Sequence, residues 1–168
     1  YDQHGSPIRG EKTIGAETFT TQWAYTEGDL LAQMVYPAVS GAAESLYYGY
    51  HPQGVTASVG SLFATHIALS YDAAGRAANR TYYTAGSGLQ TSYTYYAWNA
   101  VVNNEPQGGR LRTAQTGTTA DPDSLLSFEY TYDGNGNVLS IADLLYSPAQ
   151  GQNFSYDALD RLTAASAN

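Results

Sequence analysis

One phrase recurs along this chain: a tyrosine, in most copies followed by a polar residue and a short turn sequence that contains glycine. We call the first residue of each copy a lead tyrosine, and consecutive copies are 24, 25, 21, 24, 37 and 24 residues apart. A period of this size is the signature of a repeat architecture, in which each unit buries its apolar face against its neighbours. The 168 residues therefore predict a single segment, 1–168, of about seven repeats. The lead tyrosines are Tyr1, Tyr25, Tyr50, Tyr71, Tyr95, Tyr132 and Tyr156.

Each well-preserved copy has the pattern of a strand, a turn and a second strand. In 128–132 the aromatic residues alternate with Glu129 and Thr131, and this period of two predicts a half-buried strand. Asp, two variable residues and Gly then predict a type I turn closed by a left-handed residue, the common hairpin loop with a bulge. Asp72 and Asp133 are placed to accept hydrogen bonds from turn amides. The residues expected to take the positive φ are Gly54, Gly75, Gly136 and, in the last copy, Asp160.

Two copies depart from this pattern. The turn after Tyr25, taken as Thr26-Glu27-Gly28, is one residue short. The turn after Tyr95 carries ten additional residues before the pattern resumes at Gly109-Arg110-Leu111, which predicts a surface loop. No stretch strongly predicts a helix; residues 30–39 come nearest, but they stand where a return strand belongs.

These residues resemble the YD repeats of the Rhs family, which includes shell parts of bacterial toxin complexes and the barrel of teneurins. The resemblance is strongest at 71–76, 132–138 and 156–162, and it extends more weakly to the other copies. It implies an all-β fold of repeated β-hairpins in a continuous spiral sheet. In that family the sheet forms a hollow shell around an effector domain, and in teneurins a similar barrel carries cell-surface adhesion. The segment that closes the family's shell is not recognisable here, so no residue is assigned the autoproteolysis attributed to some relatives.

Charge and composition exclude several classes of function. A net charge of −8 with only seven Lys and Arg leaves no basic patch for nucleic acid or for an anionic membrane surface. The absence of cysteine removes disulfides, thiolate metal sites and cysteine nucleophiles. No apolar run approaches the roughly 18 residues that span a bilayer, so no membrane insertion is expected. The chain starts and stops within repeats and carries no signal peptide, and we interpret it as a segment of a longer repeat protein.

The sequence shows no constellation of reactive residues, so no catalytic, cofactor-binding or metal-binding residue is predicted and no enzymatic function is expected. The run that begins at Asp133 resembles a calcium loop, but it lacks the glycine and the glutamate that an EF-hand needs at positions six and twelve. We interpret it as a hairpin turn. The spacing of the histidines brings no two together, because His4 and His51 fall in turns and His66 on the solvent side of a strand.

The 16 tyrosines are the remaining candidates for a binding role. Lead tyrosines hold the same phase in every repeat, which favours packing in the sheet over exposed contact. Aromatic residues outside that phase are better candidates for exposed contact with sugars or partners: Tyr47, Tyr83, Tyr96 and Trp98.

Three functions follow from these observations. The first is a structural segment of a secreted or cell-surface bacterial β-sheet wall, whose partners are the rest of its own chain and an enclosed effector domain. The second is a self-assembling filament or adhesive fibre, in which open sheet edges pair with copies of the same chain. The third is binding of cell-surface glycans by exposed aromatics near Trp98. Recurrence of the repeat without a reactive constellation favours the first.

Overall fold

The computed structural model describes residues 1–38, 41–84, 87–118, 120–146 and 150–167. Over these residues the protein is all-β, as the repeats predict, and its main feature is an antiparallel sheet of thirteen strands. The described residues contain no helix of the length and hydropathy that crossing a membrane requires. The strands are β1 (Arg9–Ile14), β2 (Glu17–Tyr25), β3 (Leu31–Val35), β4 (Ser45–Tyr50), β5 (Thr56–Gly60), β6 (Thr65–Tyr71), β7 (Ala77–Thr84), β8 (Ser87–Tyr95), β9 (Val101–Val102), β10 (Glu105–Pro106), β11 (Leu111–Thr118), β12 (Leu126–Tyr132), β13 (Val138–Asp143), β14 (Gln150–Tyr156) and β15 (Leu162–Ala167).

The order of strands in the sheet follows their order in the chain. The sheet runs from β1 to β8 and then from β11 to β15, while β9 and β10 form a separate two-stranded ladder. By its contacts the chain divides into two compact units, residues 1–69 and 70–168. Neighbouring strands in sequence are therefore neighbours in the sheet, apart from the small ladder.

In the first unit, the predicted hairpins form at Tyr25 and Tyr50. These lead tyrosines end β2 and β4, and the pairing with the return strands shifts at each of them, which is the predicted bulge. Residues 31–35 form β3, so the return strand replaces any helix over this stretch; residue 39 lies outside the described residues.

In the second unit, the two faces of the sheet differ in chemistry. Residues paired across neighbouring strands share a face. Tyr130 pairs with Ile141, and Ile141 with Gln152, so the aromatic residues that alternate along β12, as predicted, share a face with Ile141 and Gln152. The opposite face, which includes Glu129, carries polar side chains, several of them joined across the strands by hydrogen bonds: Gln90 to Asn79 (2.8 Å), Thr94 to Thr113 (2.6 Å), Gln115 to Ser127 (3.1 Å) and Thr131 to Ser140 (2.6 Å).

Little of this sheet is deeply buried. Among the described apolar side chains only Tyr96 is buried, at 8% exposed. Within each unit the described strands are therefore stabilised mainly by pairing and by contacts within the sheet.

Candidate functional site: the contacts between consecutive hairpins

The turn that follows a lead tyrosine is closed as the sequence predicts. The amide of Asp72 donates to the carbonyl of Arg76 (2.8 Å), and the amide of Gly75 donates to the carbonyl of Asp72 (3.0 Å). Gly75 has a φ of 78°, in the left-handed region. The Oδ1 atom of Asp72 accepts from the amides of Ala74 and Arg76, both at 2.9 Å. The carboxylates that accept two turn amides in the same way belong to Asp2, Asp133 and Asp157.

Two of these turns also hold an arginine against the aspartate. Arg76 Nε lies 2.8 Å and Nη2 2.7 Å from Asp72 Oδ2. Arg161 makes the same pair with Asp157 Oδ2, with both distances at 2.7 Å. The side chain of Arg76, together with the turn amides, lowers the pKa of Asp72 below its ordinary value of 3.8, and Arg161 lowers the pKa of Asp157 likewise. Each carboxylate therefore stays ionised and fixes the direction of its guanidinium.

The turn after Tyr25 has full length, so the prediction of a shortened turn is wrong. The amide of Thr26 donates to the carbonyl of Leu30 (2.8 Å), and the amide of Asp29 donates to the carbonyl of Thr26 (3.1 Å). Asp29 takes the left-handed position with a φ of 58°, and the hydroxyl of Thr26 accepts from the amide of Leu30 (3.1 Å). Threonine replaces the turn aspartate and aspartate replaces the glycine, so Gly28 does not mark the end of this turn.

Lead tyrosines link each hairpin to the one before it. Their hydroxyls donate to a backbone carbonyl 18 or 19 residues earlier, which in every case is the sixth residue after the preceding lead tyrosine. We call this hydrogen bond the tyrosine clamp. Clamps are formed by Tyr25 to Pro7 (3.0 Å), Tyr50 to Leu31 (2.8 Å), Tyr95 to Ala77 (2.8 Å) and Tyr156 to Val138 (3.0 Å).

At the end of three turns, a side chain reaches forward to the next hairpin. The Cζ atom of Arg76 lies 4.2 Å from the ring centroid of Tyr95, and Arg110, which follows the insertion, lies 5.7 Å from the ring of Tyr132. These are cation–π distances. In the same position Asn137 donates to the carboxylate of Asp160 (2.8 Å). The arginines also donate to carbonyls of the following turn: Arg76 to Gly109 (2.7 Å), and Arg110 to Asp133 (3.1 Å) and Gly134 (3.2 Å).

These contacts use the groups that resembled a calcium loop. Asp133 accepts from the amides of Gly136 and Asn137 and from the side chain of Asn137. Asn135 and Asn137 both donate to Asp160 Oδ1, at 2.9 and 2.8 Å. The run therefore works as a turn that binds the next turn.

The insertion after Tyr95 folds over the following hairpin. It contains β9 and β10, joined through Asn103 and Asn104, both with left-handed backbones. Gln107 is fully buried: its Nε2 donates to the carbonyl of Tyr132 (3.0 Å), and its Oε1 accepts from the amide of Tyr132 (3.1 Å). One side chain thus satisfies both backbone groups of a lead tyrosine, as a paired strand does elsewhere.

The aromatic residues predicted to be exposed divide into two groups. Trp98 and Tyr83 are exposed, at 71% and 51%, as predicted. Tyr96 is buried, so its prediction is wrong; it lies where the insertion leaves the sheet, and its hydroxyl donates to the carbonyl of Tyr130 (2.9 Å). Tyr47 is half-buried.

His4 makes a contact that the spacing of the histidines did not reveal. His4 Nδ1 lies 2.9 Å from Asp29 Oδ1, which joins the first turn to the second, and Asp2 is close enough that three ligand atoms fall within 4.8 Å. His4 and Asp29 are exposed, and Asp2 Oδ1 already binds the amides of its own turn. His66 is exposed on β6, as predicted.

A pocket of about 310 Å³ opens on the aromatic face of the second unit. Its lining is mostly apolar, with one carboxylate and two amide side chains. The lining residues are Phe128, Tyr130, Ile141, Asp143, Gln150, Gly151, Gln152 and Ala167.

No protein-family model and no curated protein matches this sequence. Solved structures of toxin complexes do match: the crystal structure of TcdB2-TccC3 without its hypervariable C-terminal region (TM-score 0.68) and that of TcdB2-TccC3-Cdc42 (TM-score 0.67), each 22% identical over 90% of this chain. A Photorhabdus luminescens Tc holotoxin pore matches over 88% with a TM-score of 0.65 and 22% identity. This chain spans 7% of the length of each of those chains. The likeness shows a fold of the kind found in Tc toxin-complex chains.

Proposed function

We propose that this chain is a structural segment of a toxin-complex-like shell, built from YD-type repeats and doing no chemistry of its own. The observation that carries the proposal is that the polar groups at the turns form hydrogen bonds and ion pairs within the sheet. Lead-tyrosine hydroxyls, turn arginines and turn carboxylates bind either their own turn or the adjacent hairpin. Such an arrangement joins units into a wall, whereas an active site needs polar groups directed at a substrate.

The open surface of the sheet supports the same function. With only one apolar side chain buried among those described, the sheet resembles one part of a larger assembly more than an independent domain. We propose that its partners are the rest of its own repeat chain and an effector enclosed by that chain, in a secreted bacterial protein.

Electron microscopy of the full-length parent protein tests this function. We expect a closed shell with this segment in its wall, and an effector that resists added protease until the shell is opened by denaturant. Extended fibres whose length grows with protein concentration would instead support the filament. An enzymatic activity lost when carboxylates of this segment become amides would contradict the structural role.

Glycan binding is a second candidate, favoured by the position of Trp98. The ring lies against Gly109, where a Cβ atom would approach ring carbon Cε3 to 2.6 Å, yet 71% of the residue is exposed. The guanidinium of Arg76 also lies over this ring, with its Cζ atom 5.4 Å from the centroid, and an aromatic ring held in this way with much of its surface exposed suits stacking on a sugar. A glycan array with Trp98→Ala tests it, and Tyr83→Ala is the matched exposed control; binding that survives Trp98→Ala removes this candidate.

A further inference from the structure

The contact between Arg76 and Tyr95 shows how a turn receives the next lead tyrosine. Asp72 holds the guanidinium of Arg76, the ring of Tyr95 lies over it at 4.2 Å, and the tyrosine hydroxyl donates to the carbonyl of Ala77 at 2.8 Å. With Tyr95, the ring of Trp98 (5.4 Å from Cζ to the centroid) and the carbonyl of Gly109 around it, the Arg76 side chain is 29% exposed. A guanidinium held by its turn and the backbone carbonyl of the next residue therefore form together a socket, the binding place for a tyrosine side chain.

The last turn carries the same groups with the same geometry. Asp157 holds Arg161 through two contacts of 2.7 Å, and Leu162 follows it. Leu162 pairs with Tyr156 across a bulge, as Val138 pairs with Tyr132, and the carbonyl of Val138 is clamped. The Arg161 side chain, however, is 72% exposed, and Leu162 is 57% exposed. The face that a tyrosine covers on Arg76 is open on Arg161.

We propose that Arg161 and the carbonyl of Leu162 form a socket for the lead tyrosine of a further hairpin, whose lead strand docks antiparallel on β15. This inference deepens the proposed wall function and rests on it, since it names the chemistry by which the wall continues. In the clamps at Tyr95 and Tyr156, the tyrosine ends a strand that lies antiparallel beside the strand it clamps. The occupant is therefore an extended strand that ends in tyrosine and enters a turn.

The two outer edges of the sheet favour this occupant over a second copy of the chain. All residues of β15 are exposed, and its sequence LTAASA carries no charge that would oppose an added strand. The opposite edge, β1, carries Arg9, Glu11 and Lys12, and charged side chains at an edge protect it from pairing. Direct pairing of β1 with β15 between copies is thus disfavoured.

The test adds one hairpin to the whole protein. A second copy of the 145–168 sequence is fused after residue 168, which places its lead tyrosine 18 residues after Leu162, and hydrogen exchange of the β15 amides is compared with that of the unfused chain. We expect protection of β15 to rise at least about tenfold, because its outer edge becomes paired. Changing the lead tyrosine of the added copy to phenylalanine should remove about 2- to 12-fold of that protection, the effect of one hydrogen bond. Arg161→Leu should also reduce it, and Arg112→Leu, which removes an exposed ion pair elsewhere, should not.

The phenylalanine change lies outside the original 168 residues, so it leaves their fold intact and keeps the test decisive. Unchanged β15 protection in the fusion, or equal protection with tyrosine and phenylalanine, would overturn the socket. Protection of β15 in the unfused chain that rises with protein concentration would show a second copy as occupant and also overturn the proposal. The fusion reports only on this edge, so a failed socket and a failed shell are distinguishable: the shell is judged by microscopy of the parent protein.

Discussion

Replacing Tyr95 by phenylalanine isolates the contribution of one tyrosine clamp. The change removes the hydroxyl that donates to the carbonyl of Ala77 at 2.8 Å and keeps the ring that lies over Arg76. A net hydrogen bond contributes about 0.5–1.5 kcal/mol to the free energy of unfolding. Ala77 is half-buried, so water can reach its carbonyl after the change, and we expect a loss of about 1 kcal/mol.

A second clamp extends this prediction. Tyr156→Phe removes the bond to Val138, which shares no partner with the clamp at Tyr95. The two losses should therefore add, to about 2 kcal/mol in the double variant. Urea unfolding followed by far-ultraviolet circular dichroism measures this; at a slope of about 1–3 kcal/mol per molar urea, each change lowers the midpoint by about 0.3–1 M.

The matched control is Tyr83→Phe, because Tyr83 is 51% exposed. It should change the free energy of unfolding by less than about 0.5 kcal/mol, as exposed substitutions generally do. If Tyr95→Phe and Tyr156→Phe are as mild as Tyr83→Phe, the hydroxyl bonds do not join the hairpins, and the description of the wall contacts given above is wrong.

Three further predictions concern the turns and the insertion. Gly75→Ala should lower the free energy of unfolding by about 1–2 kcal/mol through backbone strain alone, because φ is 78° and no atom lies within 4 Å of the added methyl group. Gly134→Ala, at a glycine outside the left-handed region, should lower it by less than about 0.5 kcal/mol. Equal urea midpoints for the two variants would refute the turn assignment. Gln107→Ala should cost about 2–4 kcal/mol by urea unfolding, because it leaves two backbone groups without partners in a fully buried place, and a loss under 1 kcal/mol would contradict this. The side chain of Asn137 and the turn amides lower the pKa of Asp133 below 3.8, so the stabilisation by its carboxylate is present above that pH and is lost as the pH falls through the folded pKa. Asp133→Asn should therefore make the free energy of unfolding less dependent on pH below about pH 4. An unchanged pH dependence would contradict this role of Asp133 in the turn.

Much of the fold follows from local chemistry that a sequence displays. Aspartate and glycine at fixed places define the turns at Gly75 and Gly136, and alternating side chains define the strands on either side. The end of the turn after Tyr25 was misplaced because Asp29 adopts the left-handed backbone that glycine has in other copies, and Thr26 accepts the hydrogen bond that aspartate accepts there. Gly28 was therefore mistaken for the last residue of the turn.

The contacts between hairpins were harder to predict, because they depend on which strand lies beside which. The phase of the lead tyrosines indicated packing, but the bond from Tyr156 to Val138 depends on the register of two strands. The constant separation of 18 or 19 residues between hydroxyl and carbonyl was the available signal. Tyr96 was misjudged because an insertion of unknown path began beside it, and burial there depends on how that insertion folds.

The agreement between strand order and chain order has a consequence for how the molecule is made. Each pairing closes only a short loop, so little loop-closure entropy opposes it, and contacts between residues close in sequence form quickly. A nascent chain can therefore lay each hairpin against the previous one as soon as it is synthesised, without waiting for a distant partner. During synthesis the strand edge most recently completed is then the one open to the next hairpin, and the earlier edges are already occupied.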